Sequence, residues 1–484
     1  MKLATSLCRG LFAVLTLACI CHGPNAGADP VSEKEKSRLA EGKELFTHEW
    51  MHGDRRSHAG DGLGPVFNAQ SCVACHKQGG VGGAGSKENN ASLVTVFVPK
   101  RITTGLFGAP LQAVLPFALK RDSMNKEFEI PALDKLEEIH PSLGTQGSFP
   151  YHRFGIAPKF KSWRSGIISK NSGMEHREVG GVFLTLIESQ RNAPALFGAG
   201  LIDGIPDQVL IDAAAEQMKA YRLLPEIERN PDGLSSEEMQ FANRNVALPV
   251  KGRVARLKDN RIGRFGWKGS VATLREFTLQ ACSQELGLEV PGLARAIPPW
   301  NKDYKAPGID LTAEQCDSLT FFVSSLSKPV ERPPGTPEEA AIVVNGRKLF
   351  SSVGCAACHL PKLGDVDGIY SDLLLHDMGP VLSDAGSYTV INPEVASRQK
   401  SKPTVAEEQP QGATALEWRT PPLWGLHDSA PYLHDGRAGT IARAIALHRG
   451  EGLASALAFS KLKWEERQQI EQFLMSLAAP WVPQ

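Results

Sequence analysis

Cys72-Val73-Ala74-Cys75-His76 and Cys355-Ala356-Ala357-Cys358-His359 are two complete C-x-x-C-H segments. Two thiols at this spacing add across the two vinyl groups of one porphyrin, and the adjacent imidazole offers a nitrogen to the iron from the proximal face. The pattern is that of covalent c-type haem attachment. A chain of this cysteine and histidine content holds on the order of 0.005 such segments by chance, so two copies carry weight. A thioredoxin-like pair or half of a zinc site would use the cysteines alone, and the histidine at the same place in both copies speaks against each. Cys72, Cys75, His76, Cys355, Cys358 and His359 are therefore the expected haem-holding residues, with His76 and His359 as proximal iron ligands.

The opposite face of each iron decides function. Two strong protein ligands make an electron-transfer centre, whereas an open face binds small oxidants. For the second iron, Ile441, Ala444, Ile445 and His448 fall on one face of an expected helix, which makes His448 the candidate sixth ligand. Met378 is the alternative, since a thioether is a common sixth ligand in c-type cytochromes. Each of the two also reads as an ordinary core residue. Near the first iron, Lys77 to Gly85 is glycine-rich, and the next histidine after His76 is His140. That iron is either open or reached by His48, His52 or His58 from upstream. Trp163, Trp267, Trp418 and Trp424 are candidate aromatic bridges between haems, with core packing the competing role.

The elements that must position these residues recur in two halves. Gly42-Lys-Glu-Leu-Phe46 precedes the first haem segment and Gly346-Arg-Lys-Leu-Phe350 the second. Arg191-Asn-Ala-Pro194 and Arg419-Thr-Pro-Pro422 come next, each before an apolar pair and a glycine. Phe322-Val-Ser-Ser-Leu326 and Phe473-Leu-Met-Ser-Leu477 close helical patterns. Thr312 and Gln315 form a capping box for the first of these helices, and Ile470, Phe473, Leu474 and Leu477 make the apolar face of the other. The common order points to a duplicated haem-binding unit. The expected class is mainly α: two tandem cytochrome c-like haem domains, residues 36–327 and 338–478, joined by a proline-rich linker, 328–337. The first carries large irregular insertions with a few short strands.

The chain of 484 residues has formal net charge zero, which gives no reason to expect nucleic acid or an anionic membrane as partner. Residues 1–28 read as a secretory signal: Lys2 and Arg9, an apolar stretch from Leu11 to Ile20, and Ala26-Gly-Ala28 before the cleavage point. No later segment is apolar enough to span a membrane. These features imply a periplasmic or otherwise exported location. Of nine cysteines, three lie in this signal and four hold haem. Cys282 and Cys316 remain and are expected to form a disulfide, with two buried thiols as the alternative.

Several stretches resemble the exported di-haem oxidoreductases, also called thiol oxidoreductases, a branch of the di-haem cytochrome c peroxidase superfamily. They are Asp61-Gly-Leu-Gly-Pro-Val-Phe-Asn68, Gly263-Arg-Phe-Gly-Trp-Lys268, Tyr370-Ser-Asp-Leu-Leu-Leu-His-Asp-Met-Gly379, Glu417-Trp-Arg-Thr-Pro-Pro-Leu-Trp-Gly425 and Tyr432-Leu-His-Asp-Gly-Arg-Ala438. The resemblance implies two covalent haems, a peroxidase-like activity on peroxide or a similar small oxidant, and a small redox donor protein as partner. It places His434 and Arg437 near the second haem, where they would move protons or stabilise a leaving oxygen; a turn at Asp435-Gly436 with Arg437 on a haem propionate is the other reading. Superfamily members hold calcium between the domains, and Asp365-x-Asp367-Gly368 resembles the start of a calcium loop. The competing functions are an electron carrier without substrate chemistry and an oxidase of a partner protein or metal ion.

Overall fold

The computed structural model describes residues 32–99, 114–116, 133–144, 147–168, 173–179, 182–229, 250–384, 386 and 411–480. The signal segment, residues 1–28, lies outside them. Six helices carry the repeat: α1 (Glu33–Thr47), α2 (Leu274–Glu285) and α3 (Ala313–Ser324) in the first half, and α4 (Pro337–Ser352), α5 (Ile441–Leu447) and α6 (Trp464–Ser476) in the second. Side-chain oxygens cap the starts of α2 to α5: Thr273, Thr312, Thr336 and Thr440 each accept from the amide three residues on. The expected Thr312–Gln315 capping box is present.

In each half the first helix crosses the last. A Cβ on Gly42 would lie 2.1 Å from the Ser318 carbonyl oxygen, and one on Gly346 would lie 1.9 Å from that of Gln469. The two glycines that open the sequence repeats are thus the points of backbone contact between α1 and α3 and between α4 and α6. The phenylalanine one turn further fills the next layer: Phe46 meets Phe322 at 5.3 Å and Phe350 meets Phe473 at 5.5 Å between ring centroids. Ile470, Phe473, Leu474 and Leu477 are all buried, as the α6 pattern requires. Val330–Glu331 in the linker pairs antiparallel with Leu477–Ala478, so the linker is tied to the end of the second half.

The strands depart from expectation. Between the first haem segment and Arg191 lies a five-stranded antiparallel sheet: β1 (Ala91–Pro99), β2 (Val114–Pro116), β3 (Ser148–Pro150), β4 (Met174–Val179) and β5 (Val182–Arg191). β1 is central, paired with β5 over seven positions and with β2 and β3 on its other side. Val94, Val96, Phe149, Leu184 and Leu186 form its own apolar cluster with Leu136, Leu143 and Ile167. The β-branched run of Ala91–Pro99 carries this signal, although no helical period marks it. The class is mixed α with short strands, as expected in part, but with more strands gathered into one sheet than the few anticipated.

A buried charge cluster fastens the insertion between Phe46 and Cys72. Arg295, 1% exposed, donates to Asp61 at 2.5 Å and to Asp310 at 2.7 Å. Asp310, fully buried, also accepts from the Gly62 amide at 2.7 Å and the Ser57 hydroxyl at 2.6 Å. Removing one partner of such a pair strands a buried charge. Asp310→Ala is expected to destabilise the fold by about 3–5 kcal/mol in denaturant titration, and Gly346→Ala by about 1–3 kcal/mol through overpacking of the α4–α6 crossing.

Candidate functional site

Both C-x-x-C-H segments form short helical turns, Cys72–Cys75 and Cys355–Ala357. Each brings its histidine back against a phenylalanine of the preceding helix, with ring centroids 6.4 Å apart for Phe46–His76 and 6.3 Å for Phe350–His359. His76 donates from Nδ1 to the Gly83 carbonyl at 3.1 Å, and His359 from Nδ1 to the Tyr370 carbonyl at 2.9 Å. Both bonds leave Nε2 as the candidate ligating atom, although His76 also interacts with the Pro194 carbonyl. Burial pulls both imidazoles down to about 4, which keeps them in the neutral form that binds metal. The glycine-rich loop after His76 exists for this contact: a Cβ on Gly83 would lie 1.7 Å from the Gln78 carbonyl oxygen. Burial pushes the Cys72 and Cys355 thiols up to about 12, so both are protonated, the form whose S–H adds across a vinyl group.

A cavity of about 290 Å³ adjoins the second of these segments; Cys72, Cys75 and His76 are not on its wall. Cys355, Cys358, His359, His448 and Met378 line it, together with Tyr432 and His434. His448 is the C-cap of α5, and its Nδ1 donates to the Ala444 carbonyl at 2.8 Å, again leaving Nε2 free. The donor set fits a haem: thiols, a proximal imidazole and a second imidazole face one apolar space. The first-half residues on the cavity wall, among them Leu196, Ala199, Ile202, Phe265 and Phe277, include no histidine, methionine, lysine or tyrosine. Four of these pack in one cluster that Cys72, Cys75 and Phe277 join.

The structure exposes a further repeat that the sequence reading missed. Phe265-Gly-Trp-Lys-Gly-Ser-Val-Ala-Thr273 and Tyr432-Leu-His-Asp-Gly-Arg-Ala-Gly-Thr440 have one backbone form. Phe265 bridges Val271 as Tyr432 bridges Ala438. The Gly269 amide bonds the Gly266 carbonyl at 3.2 Å, and the Gly436 amide bonds that of Leu433 at 3.2 Å. The threonine then caps α2 or α5. In this register Phe277 corresponds to Ala444, and Ala281 to His448. The signal was present in the shared glycine and threonine spacing, masked by the change of every residue between them.

Other expected residues fall differently. His48 bonds Asp54 at 2.9 Å, and His52 and His58 are exposed, so none of the three joins the cavity wall. Cys282 and Cys316 are not joined: both are free thiols buried in the first-half core, where they pack as small apolar side chains. An even cysteine count carries no distance information, which is why that expectation failed. Asp365 and Asp367 belong to a tight hairpin in which Lys362 pairs with Asp367 at 3.4 Å, and no calcium loop forms there. Arg437 lies outside the cavity and bonds Asp435 at 2.6 Å and the Val381 carbonyl at 2.8 Å. Trp163 sits under the sheet with its Nε1 on the Ile139 carbonyl, whereas Trp267, Trp418 and Trp424 line the cavity.

His434 stacks on Trp418 at 3.8 Å and 16°, and its buried Nε2 has no hydrogen-bond partner. The opposing cation is Lys268, whose Nζ lies 3.7 Å from the Trp418 ring centroid and donates to the carbonyls of Thr414, Ala415 and Glu417. A further buried cluster around His376 had no role assigned from the sequence. His376 lies between Asp372, 2.9 Å from its Nε2, and Glu451, 2.8 Å from its Nδ1. Gln217 ties Asp372 to the Ala357 carbonyl of the second haem segment.

The sequence profile of the family described as "Di-haem oxidoreductase, putative peroxidase" matches residues 10–109 and 405–477. These stretches hold the first C-x-x-C-H segment and the Glu417–Gly425, Tyr432–Ala438 and His448 region. In these two stretches, a little over a third of the chain, it is similar to this di-haem oxidoreductase family. Two solved structures are similar in part. Hydrazine synthase of Kuenenia stuttgartiensis is 22% identical with a TM-score of 0.23, over 35% of this chain and 57% of that one. A MauG-like protein associated with microbial copper homeostasis is 15% identical with a TM-score of 0.27, over 57% of this chain and 90% of that one. Overlaps of this size establish no common fold. No curated protein matches the chain. Among the described residues no helix is long and apolar enough to cross a membrane.

Two measurements check this geometry. Cys355→Ser with Cys358→Ser is expected to lower covalently bound haem from two to one per chain by intact mass. Lys268 gives a pH test. Burial pulls its ammonium from 10.5 down to about 7, so the unfolded chain binds more protons between those values. The stability of the native protein relative to Lys268→Met should therefore rise with pH across that window, by at most about 1.4 kcal/mol per pH unit, as read by urea denaturation.

Proposed function

We propose that the protein is an exported di-haem c-type oxidoreductase of peroxidase-like activity. Cys72, Cys75 and His76 hold one haem, and Cys355, Cys358 and His359 the other. With haem bound, His448 would be a second protein ligand of the second iron, and the first haem would be the one left open to peroxide or a related small oxidant. Bound haem supplies the one-electron chemistry. The chain's own residues fix two imidazoles by their Nδ1 bonds, exclude water with the apolar walls, and span the space between the sites with Trp267, whose Nε1 donates to the Asn192 carbonyl at 2.8 Å. Electrons arrive from a small redox donor protein. The N-terminal secretory signal and the covalent attachment chemistry support an exported location.

One observation carries this reading. The equivalent of His448 in the first half is Ala281, with Phe277 in place of Ala444, so the matching helix start brings no imidazole to the first site. In this reading the two irons differ, one closed and one open. The alternative is an electron carrier without substrate chemistry. Electron paramagnetic resonance of the oxidised protein separates the two. The proposal expects one high-spin and one low-spin iron, loss of the high-spin signal with peroxide, and loss of the bis-imidazole low-spin signal in His448→Ala. Two low-spin irons that ignore peroxide would establish the carrier.

A further inference from the structure

Met378 and His448 come from distant parts of the chain and meet at one wall of the cavity. His448 caps α5; Met378 comes directly after β6 (Leu375–Asp377), which pairs with β7 (Glu417–Arg419). A Cβ on Gly452 would lie 3.1 Å from both Cβ and Cδ2 of His448 and 3.2 Å from Cε of Met378. A single added methyl would touch both side chains, so the two lie side by side. Both line the cavity that holds His359. Neither Nε2 of His448 nor Sδ of Met378 has a hydrogen-bond partner among the described residues, so each ligating atom is available.

The two segments are also interlocked. A Cβ on Gly450 would lie 2.1 Å from the Asp377 carbonyl oxygen, and one on Gly379 would lie 3.0 Å from Cβ of Arg449. Gly379 and Gly450 have φ of 73° and 53°, values that other residues rarely adopt. The backbone beside Met378 thus rests on the backbone beside His448, with glycine on each side of the contact. A shift of one segment displaces the other. His448 lies past the last helical residue of α5 with extended backbone, φ −63° and ψ 127°, so its movement does not require the helix to unwind.

We propose that His448 and Met378 are alternative sixth ligands of the second iron, exchanged with its oxidation state. This rests on the reading that the second haem is bound through His359. Imidazole suits ferric iron, and the softer thioether suits ferrous iron and raises the potential. When a one-electron donor protein reduces the site, the bond from His448 Nε2 breaks and one from Met378 Sδ forms. Both ligands are neutral, so the only net change is the added electron. Oxidation by the first haem reverses the exchange. The reduced state is thereby held at a higher potential until an oxidant draws the electron away.

The test uses the full-length, haem-loaded protein, its Met378→Leu and His448→Ala variants, magnetic circular dichroism in both oxidation states with dithionite as reductant, and voltammetry at varied scan rate. The native second haem is expected to show bis-imidazole ligation when oxidised and histidine–thioether ligation when reduced, with a peak separation that grows with scan rate. Met378→Leu, which nearly conserves volume, is expected to leave the oxidised spectrum unchanged, to keep bis-imidazole ligation when reduced, and to lower the second potential. If the reduced spectrum and potential of Met378→Leu match the native ones while His448→Ala alters the oxidised spectrum, the exchange is overturned and the His448 assignment stands. If His448→Ala leaves the oxidised spectrum unaltered, the ligand assignment falls and the exchange with it.

Discussion

The bond from each proximal imidazole to a backbone carbonyl governs the rest of the structure. A histidine after two cysteines can present either nitrogen and any ring rotation. Donation from Nδ1 to Gly83 or Tyr370 removes that freedom and commits Nε2 to the iron. Each acceptor carbonyl depends on backbone that departs from regular structure. Gly83 belongs to a loop whose crowding excludes any side chain, and Tyr370 has a φ of 47°. The helices outside then hold the attachment turns in place, each pair crossing at a glycine that admits no Cβ.

Around this shared scaffold the two halves diverge where chemistry would differ. The turn before α2 and the turn before α5 have the same hydrogen bonds and the same threonine cap. The helix after each turn carries the difference: Phe277 and Ala281 in one half, Ala444 and His448 in the other. Changing two side chains on a shared helix start is a small alteration of sequence, yet in the proposed reading it sets whether an iron has one or two protein ligands. The large sheet and the Arg295–Asp310 cluster belong to the first half alone.

Much of this was legible in the residues. The attachment segments, the glycine and phenylalanine repeats, the α6 face and the Thr312 cap all come from local spacing, and local spacing is what a single sequence carries. The sheet was missed because its long central strands are separated by many residues, so only their composition marked them. The disulfide was expected from parity and compartment, neither of which reports distance; both thiols are core side chains instead. His376, Asp372 and Glu451 come together from two segments, and nothing in either segment announces the other. The Phe265–Thr273 repeat was hidden by substitution at every position between its glycine and threonine, while its backbone bonds stayed the same.

The account stands on the asymmetry between the two irons, and cyanide binding to the oxidised protein measures that most directly. The proposed function predicts one tightly bound cyanide per pair of haems, with spectral change confined to one haem. Two equivalents bound with equal strength, or none, would contradict it.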